Sequence, residues 1–211
     1  TTLFRSAVQA AEDGAEVIVV EKAAAIGGAA NMGMGPLGIG TRYQKQQMED
    51  ITVEKAFNMF MEYTHYNVDA RLVKRYFEQS AETIEWLEDM GVEFEGAYRY
   101  FPKSEPTWHI VKTDQGIGPR AASFMNKALY ARAQELGSPY FEVKREDTKI
   151  IRNTRAGIDF SYENEYYGNT VFTLPFIAEY QVMNSSLALK TIEVLKDQVK
   201  IPVEAVRKGL L

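Results

Sequence analysis

The chain of 211 residues has no cysteine and only two histidines, His65 and His109. Without cysteine the sequence cannot form disulfide bonds, thiolate nucleophiles or cysteine-ligated zinc and iron–sulfur sites. Two histidines at distant positions do not make the imidazole cluster of a typical zinc site. We therefore expect no metal centre.

Long apolar runs and an excess of positive charge are missing as well. The mean hydropathy is −0.29, and no uncharged apolar stretch is long enough to predict a transmembrane helix. The formal net charge of −5 gives no support to a nucleic-acid or anionic-membrane partner. The first residues, TTLFRSAVQAAEDG, lack the apolar core of a signal peptide, so the cytoplasm is the expected compartment.

A third absence concerns the glycine motifs of nucleotide-binding proteins. No Gly-x-Gly-x-x-Gly precedes the helix predicted over residues 3–13, and no G-x-x-x-x-G-K-[ST] occurs in the chain. That helix is predicted to end at Gly14, and a buried strand is predicted to follow it. This order matches the second half of a βαβ unit, whose first half would precede Thr1.

The strand predicted at residues 17–20 is the first positive signal. Its Val-Ile-Val-Val run is typical of a strand buried on both faces of a parallel sheet. Glu21 follows directly. In a dinucleotide-binding sheet, a carboxylate at this position accepts hydrogen bonds from a ribose. Glu21 is therefore a candidate ribose ligand, and an ordinary surface carboxylate is the alternative.

A glycine-rich run follows at residues 26–40. Gly27 and Gly28 supply backbone without side chains, which a loop needs when its N–H groups approach a cofactor closely. The alternative for these two glycines is a plain turn. Asn31 is either a cofactor contact or the side chain of an Asx-turn that stabilises the loop.

Apolar periodicity and capping residues predict the rest of the chain. The predicted elements are helices at 53–63, 69–90, 119–136, 184–196 and 203–210, strands at 92–100, 139–143, 158–162 and 170–174, and a loop at 101–118. Asp69 is the predicted N-cap of the second of these helices, and Gly91 its end.

Over about residues 7–137 the sequence resembles the fumarate reductase and succinate dehydrogenase flavoprotein family. Three stretches carry the resemblance: AVQAAEDGAEVIVVEKAAAIGGAANMGMG, RYFEQSAETIEWLEDMGVEF and WHIVKTDQGIGPRAASFMNKALYARAQELG. Glu21 and Lys22 match the family's Glu-Lys pair at the ribose, and Gly27, Gly28 and Asn31 match its loop against FAD. The resemblance implies FAD as the cofactor and a small-molecule carboxylate as the substrate, and it leaves the electron donor open.

His109 lies where members of that family carry a histidine that holds a substrate carboxylate. The resemblance therefore implies that His109 binds substrate, although Ile110 and Val111 replace the usual Arg-Pro after it. A partly buried loop histidine is the alternative. Lys112 and Arg120 are either further ligands of a dicarboxylate or ordinary surface cations.

The turn Gly116-x-Gly118-Pro119 precedes a predicted helix. Backbone N–H groups at the start of a helix attract anions, so this turn is a candidate anion site. A plain helix start is the alternative.

Over about residues 138–211 the resemblance changes to folylpolyglutamate synthase, an ATP-dependent ligase of the Mur ligase family. The stretches SPYFEVKREDTKIIRNTRAGIDFSYEN and YQVMNSSLALKTIEVLKDQVKIPVEAVRKGL carry it. It implies that Asn184 contacts an adenine ring, with Tyr180 and Ala178 in place of the family's usual histidine and glycine. A solvated polar residue on a helix is the alternative for Asn184.

Together these patterns predict an α/β chain. Residues 1–137 are predicted to form an incomplete Rossmann-like FAD-binding domain with a helical capping segment, and residues 138–211 a small α/β fragment. The predicted function is FAD-dependent reduction of an activated double bond in a small organic acid, or the reverse reaction. A ligase fragment and a non-catalytic chain are the alternatives. Because no first strand or glycine motif precedes residue 3, weak or no FAD affinity is expected for the isolated chain.

The change of resemblance within residues 133–137 leads to the hypothesis that the reading frame joins two incomplete proteins. We expect sequencing of the source DNA, across the codons for residues 130–145, to reveal a junction. An uninterrupted native gene would contradict the hypothesis.

Overall fold

The structure is a computed structural model that describes residues 2–114, 116 and 120–211. The helices are α1 (Thr2–Glu12), α2 (Arg42–Gln46), α3 (Val53–Tyr63), α4 (Ala70–Asp89), α5 (Ala122–Glu135), α6 (Tyr180–Val194) and α7 (Val203–Leu210). The strands are β1 (Val19–Glu21), β2 (Phe94–Tyr98), β3 (Trp108–Val111), β4 (Tyr140–Glu142), β5 (Thr148–Thr154), β6 (Gly157–Tyr162) and β7 (Val171–Leu174). Two short 3-10 helices cover Gly28–Met32 and Arg145–Asp147.

The strands form three small sheets. In the first, β1 and β4 run parallel, with Val19 opposite Tyr140 and Glu21 opposite Glu142. In the second, β2 and β3 are antiparallel. The third is an antiparallel sheet in the order β5-β6-β7. The parallel pair matters most for function, because parallel strands place their carboxyl ends at one edge.

The chain divides into two compact units. The first contains Thr1–Gln9 and Gly27–Leu136, and the second contains Ala10–Ile26 and Gly137–Leu211. The division at residue 137 was predicted from the two resemblances. That residues 1–137 and 138–211 derive from two different proteins stays a prediction. In the structure, β1 is grouped with the residues after Gly137.

The first unit contains a helical core between α3 and α4. Ile39, Ile51, Ala56 and Phe77 are buried there, and the rings of Phe60 and Phe77 meet edge to face. Aromatic pairs of this kind add to the stabilisation that comes from burial alone.

The predicted capping of α4 is confirmed. The Asp69 carboxylate accepts hydrogen bonds from the N–H groups of Arg71 and Leu72, and Gly91 follows the helix at φ +84°. These local signals are independent of the rest of the fold, so the sequence was sufficient to predict them.

The second unit has a core in which the antiparallel sheet packs with α6 and α7. Its buried members are Val143, Ile158, Phe160, Tyr162, Phe172, Leu174, Val182, Leu189 and Val206. Val20 of β1 packs against the same cluster. Strand β1, from the flavoprotein-like part, therefore shares a core with the ligase-like part.

Three sequence expectations need correction. The strand at 17–20 is not buried on both faces, since Ile18 is 37% exposed and β4 is the one strand paired with β1 in the described residues. The loop expected at 101–118 contains β3, which forms because β2 offers an antiparallel partner. Strand β5 was missed because most of its side chains are exposed, which removes the alternating apolar signal.

The helix predicted from Pro119 begins at Ala122 in the structure, and Gly118 and Pro119 lie outside the described residues. Across the described part of the chain, no helix combines the length and apolar character needed to span a bilayer.

Candidate functional site

Glu21 ends β1, and its carboxylate turns back onto the chain that follows. Oε1 accepts hydrogen bonds from the backbone N–H groups of Lys22 (2.8 Å) and Ala23 (2.9 Å). Among the described residues none donates to Oε2, which leaves that oxygen for a ligand. The backbone carbonyl of Glu21 accepts from the N–H of Val143, so β4 fixes the strand end.

A cavity of about 540 Å³ lies at the carboxyl ends of β1 and β4. Its lining residues are Lys22, Ala23, Ala24, Glu142, Val143, Lys144, Arg145, Glu146 and Met183. Ligands of open α/β sheets bind outside the carboxyl ends of the parallel strands. Glu21 ends the strand that leads to this cavity but is not among its lining residues.

Lys22 and Asn184 are brought together in this second unit. The Lys22 ammonium donates a hydrogen bond to Asn184 Oδ1, and Asn184 Nδ2 donates to Gln181 Oε1 at 2.6 Å. Both ends of the Asn184 amide are thus engaged within the chain. This arrangement favours a structural or orienting role for Asn184 over direct recognition of an adenine ring.

In the first unit, Gly27 and Gly28 begin a tight loop. Both have positive φ, +96° at Gly27 and +53° at Gly28, and the 3-10 helix Gly28–Met32 follows. The Gly27 carbonyl accepts a hydrogen bond from the N–H of Ala30 at 3.1 Å. The loop therefore presents backbone with little side chain, as close contact with a cofactor requires.

Asn126 of α5 packs against this loop. A Cβ added to Gly27 would lie 2.4 Å from both Asn126 Nδ2 and Asn31 Oδ1. Those two atoms are themselves hydrogen-bonded at 2.6 Å. Asn31 therefore stabilises the loop through α5, which agrees with the loop-stabilising alternative for this residue.

Asn126 is fully buried, and its Oδ1 has no hydrogen-bond partner among the described residues. A buried acceptor without a partner costs about 1–3 kcal/mol. Sequence reasoning did not single out Asn126. A signal was present, because an amide stands on the apolar face of α5 beside Met125 and Leu129.

The later glycines of the run serve a different purpose. A Cβ on Gly35 would lie 1.8 Å from the backbone oxygen of His109, and one on Gly38 would lie 2.9 Å from the His109 ring. Residues 34–38 are hydrogen-bonded along β3, for example from His109 N–H to the Pro36 carbonyl at 2.9 Å. These two glycines allow close packing of backbone on β3.

His109 is fully buried in β3, and both of its ring nitrogens are engaged. Nδ1 is 3.1 Å from the Thr107 carbonyl, so it carries the proton and donates. Nε2 is 2.7 Å from Thr41 Oγ1 and accepts from that hydroxyl. Burial lowers the pKa of His109, partly opposed by the Thr107 carbonyl and the Glu88 charge. The geometry favours a structural histidine, which is fully buried in a strand and not partly buried in a loop as the alternative had it.

A charged cluster lies beside His109. The Tyr43 ring meets the His109 ring edge to face at 5.8 Å, and the Tyr43 hydroxyl donates to Glu88 at 2.5 Å. Burial, together with that hydrogen bond, raises the pKa of Tyr43 to about 12. Burial alone would raise the pKa of Glu88, but the hydrogen bonds from Arg42 and Tyr43 outweigh it and lower that pKa. Glu88 is therefore an ionised partner of Arg42.

A largely apolar cavity of about 470 Å³ also lies in the first unit. Its lining includes Ala30, Gly33 and Gly35 from the glycine run, together with residues of α1, α4 and α5. Polar groups at the lining are themselves paired: Arg5 donates to Thr83 Oγ1, and the Tyr76 hydroxyl donates to the Leu37 carbonyl. The volume is in the range of small-molecule sites.

The remaining predicted ligands are not assembled into a site. Lys112 pairs with Glu93 at 2.8 Å, and Arg120 is exposed. Gly118 and Pro119 of the candidate anion turn lie outside the described residues. The described part of the chain holds no group of three or more His, Cys, Asp or Glu side chains placed to bind a metal ion.

Comparison with known families gives one match that covers most of the chain. The protein-family model described as the FAD binding domain matches residues 4–143. This match confirms the predicted cofactor, FAD. The resemblance to a ligase past residue 137 gains no support from it.

Two curated proteins are similar in sequence. A vinyl phenol reductase of Lactiplantibacillus plantarum is 35% identical over 132 residues, which cover 63% of this chain and 25% of that protein. An NADH:fumarate oxidoreductase of Klebsiella pneumoniae is 32% identical over 90 residues, 41% of this chain and 10% of that protein. The chain thus spans at most a quarter of the length of either relative.

Two solved structures share the fold at 21% identity. They are the 3-ketosteroid-Δ4-(5α)-dehydrogenase of Rhodococcus jostii RHA1 and the open conformation of a flavocytochrome c3 fumarate reductase. Each superposes with a TM-score of 0.60 over 81% of this chain, covering 41% and 30% of those chains respectively. The likeness in fold therefore covers more of the chain than the family match does.

We expect Gly27→Ala to damage the loop far more than Gly28→Ala. Both glycines have positive φ, but only a Cβ at Gly27 meets other atoms, the side chains of Asn31 and Asn126. Urea unfolding should show a loss of about 1–3 kcal/mol beyond that of Gly28→Ala, because the variant adds overpacking to backbone strain. Equal losses in the two variants would contradict the close packing at Gly27.

We expect His109 to make stability depend on pH. Because its pKa is lowered in the folded chain, the unfolded chain binds the proton more readily below the ordinary value of 6.5. The stabilising contribution of the neutral ring is complete above that pH and is lost as pH falls through the folded pKa. Urea unfolding from about pH 7.5 to about pH 5 should show this decline in the wild type and a weaker one in His109→Gln.

The exposed His65 is the matched control for this measurement. His65→Gln should retain the decline seen in the wild type. If His109→Gln retained it as well, the proposed origin of the pH dependence would be wrong.

Proposed function

The chain belongs to the FAD binding domain family, and from that premise we propose that it forms the cofactor-binding part of an FAD-dependent oxidoreductase. The proposed reaction is reduction of an activated carbon–carbon double bond, or its reverse, in a small organic acid or enoate. The observation that carries the proposal is the Glu21 carboxylate at the end of a parallel strand in the second unit. The left-handed glycine loop of the first unit supports the proposal separately.

We assign the ribose of the adenosine half to Glu21. Its Oε1 is held by two backbone N–H groups, so the second oxygen is presented at a fixed position. Lys22, which lines the adjoining cavity, is held by Asn184 and supplies a positive charge near this end of the cofactor. A carboxylate held in this way loses little side-chain entropy when it binds.

The glycine loop of the first unit is a separate candidate for contact with FAD. Gly27 and Gly28 allow the backbone to approach the pyrophosphate or the ring, and Asn31 fixes the loop from within. When bound, FAD supplies hydride transfer through N5 of its ring. The lining beside Gly33 and Gly35 is largely apolar, which would suit a flat ring.

The double bond of the proposed substrate rests on chemistry that the relatives' names share. Vinyl phenol and fumarate both contain a conjugated carbon–carbon double bond. Fumarate alone of the two is a carboxylate, so the acid in the proposed substrate class rests on the second name. A role for His109 in holding a substrate carboxylate requires that Nε2 carry a proton and donate it, because a carboxylate oxygen only accepts, whereas Nε2 accepts from the Thr41 hydroxyl in this structure.

The ligase alternative has less support than the oxidoreductase. It rests on the resemblance past residue 137 alone, and the sequence contains no P-loop to hold ATP. The Asn184 amide, its one candidate nucleotide ligand, is engaged by Lys22 and Gln181. We therefore do not propose it.

We expect the purified chain to bind FAD saturably, and Glu21→Ala to weaken binding about tenfold. A hydrogen bond to a charged group contributes about 1.5–3 kcal/mol, which corresponds to tenfold or more in Kd. FAD fluorescence titration, extended to high FAD concentration so that weak binding is measured, provides the Kd. The exposed Glu16→Ala, from the same segment, is the control and should leave Kd unchanged.

Two results would contradict this proposal. The absence of saturable binding in the wild type would contradict the proposal that this chain binds FAD. Equal Kd values for Glu21→Ala and Glu16→Ala would show that Glu21 does not contribute to FAD binding.

A further inference from the structure

Asn126 is a fully buried amide that local stability does not explain. Its Nδ2 donates to Asn31 Oδ1, but its own Oδ1 has no partner among the described residues. Leucine would fill a comparable volume without leaving a buried polar atom unpaired. Removing an unpaired buried acceptor recovers a desolvation cost of about 1–3 kcal/mol, which offsets the loss of the hydrogen bond to Asn31.

The surroundings of Asn126 indicate what the amide does. Asn126 Nδ2 and Asn31 Oδ1 both lie 2.4 Å from the position of a Cβ on Gly27. Gly27 has φ +96° and starts the 3-10 helix that contains Asn31. The hydrogen bond between the two amides therefore connects the rigid helix α5 to the loop at the point where the backbone turns into the left-handed region.

We propose that Asn126 is a positioning residue for the cofactor loop. It acts through Asn31, and it holds the backbone of Gly27 and Gly28 in the shape that contacts FAD. The inference rests on the proposed function for the identity of the ligand, but not for the effect on the loop. It assigns Asn126 to the site from α5, about a hundred residues after the glycine motif in sequence.

This role separates two quantities that a structural residue would change together. Asn126→Leu removes the hydrogen bond to Asn31 and also removes the unpaired acceptor. These two effects on global stability oppose each other, so global stability should change little, whereas the loop should become looser. A residue that only fills the core would show the opposite pattern. Its replacement would lower global stability, and hydrogen exchange in the loop would change no more than that loss explains.

The test compares Asn126→Leu with Ala133→Gly, a change at another fully buried position of α5. Hydrogen exchange of the full chain without FAD measures the backbone amides of Ala30 and Gly33, which are hydrogen-bonded within the loop. We expect exchange at both amides to be at least tenfold faster in Asn126→Leu. In Ala133→Gly the exchange rates of these amides should change only as much as the change in global stability predicts. Urea unfolding measures that stability.

A double-mutant cycle tests whether Asn126 acts through Asn31. We expect Asn126→Leu and Asn31→Ala to speed exchange by similar factors, and the double variant to add little to either. FAD titration should give a Kd at least tenfold higher for Asn126→Leu than for Ala133→Gly.

Two outcomes overturn the positioning role: unchanged loop exchange in Asn126→Leu, or fully additive effects in the double variant. If the wild-type chain binds no FAD, the proposed function fails. The exchange comparison still decides whether Asn126 holds the loop.

Discussion

Residues 27–38 depend on glycine, because the backbone there packs so closely against its neighbours that side chains would not fit. At Gly27, Gly35 and Gly38 an added Cβ would lie within 3 Å of other atoms. The run is two structures in succession. Its first part is a left-handed loop held by α5 through Asn31, and its second part is an extended segment paired with β3. The first part is the proposed contact with the cofactor, whereas the second packs around His109.

Local signals were readable from the sequence, and tertiary ones were not. Gly14 follows α1 and Asp69 caps α4, as predicted, because each depends on a few neighbouring residues. Strand β3 depends on pairing with β2, which residues 101–118 do not reveal by themselves. His109 accepts a hydrogen bond from the Thr41 hydroxyl and donates one to the Thr107 carbonyl. No spacing rule in the sequence links Thr41 to His109. Asn126 was missed for the same reason, although its place on an apolar helix face was visible.

The two resemblances meet within one compact unit. Strand β1 pairs with β4, and Val20 contacts the core formed by β5, β6, β7 and α6. The Lys22 ammonium donates a hydrogen bond to Asn184, so side chains from before and after residue 137 hold each other in place. The FAD-family match extends to residue 143 and therefore includes β4, the strand that completes the parallel pair. Strand β4 also lies in the stretch that resembles a ligase, so the predicted adenosine site depends on residues from both resemblances.

The central claim is that the glycine loop contacts FAD through its first two glycines. NMR spectra of the chain with selectively 15N-labelled glycine, recorded during addition of FAD, test it most directly. The account predicts saturable shifts of the Gly27 and Gly28 amides, with little change at Gly157 and Gly209 of the second unit. Shifts spread evenly over the glycines, or shifts that leave Gly27 and Gly28 unchanged at saturation, would contradict it.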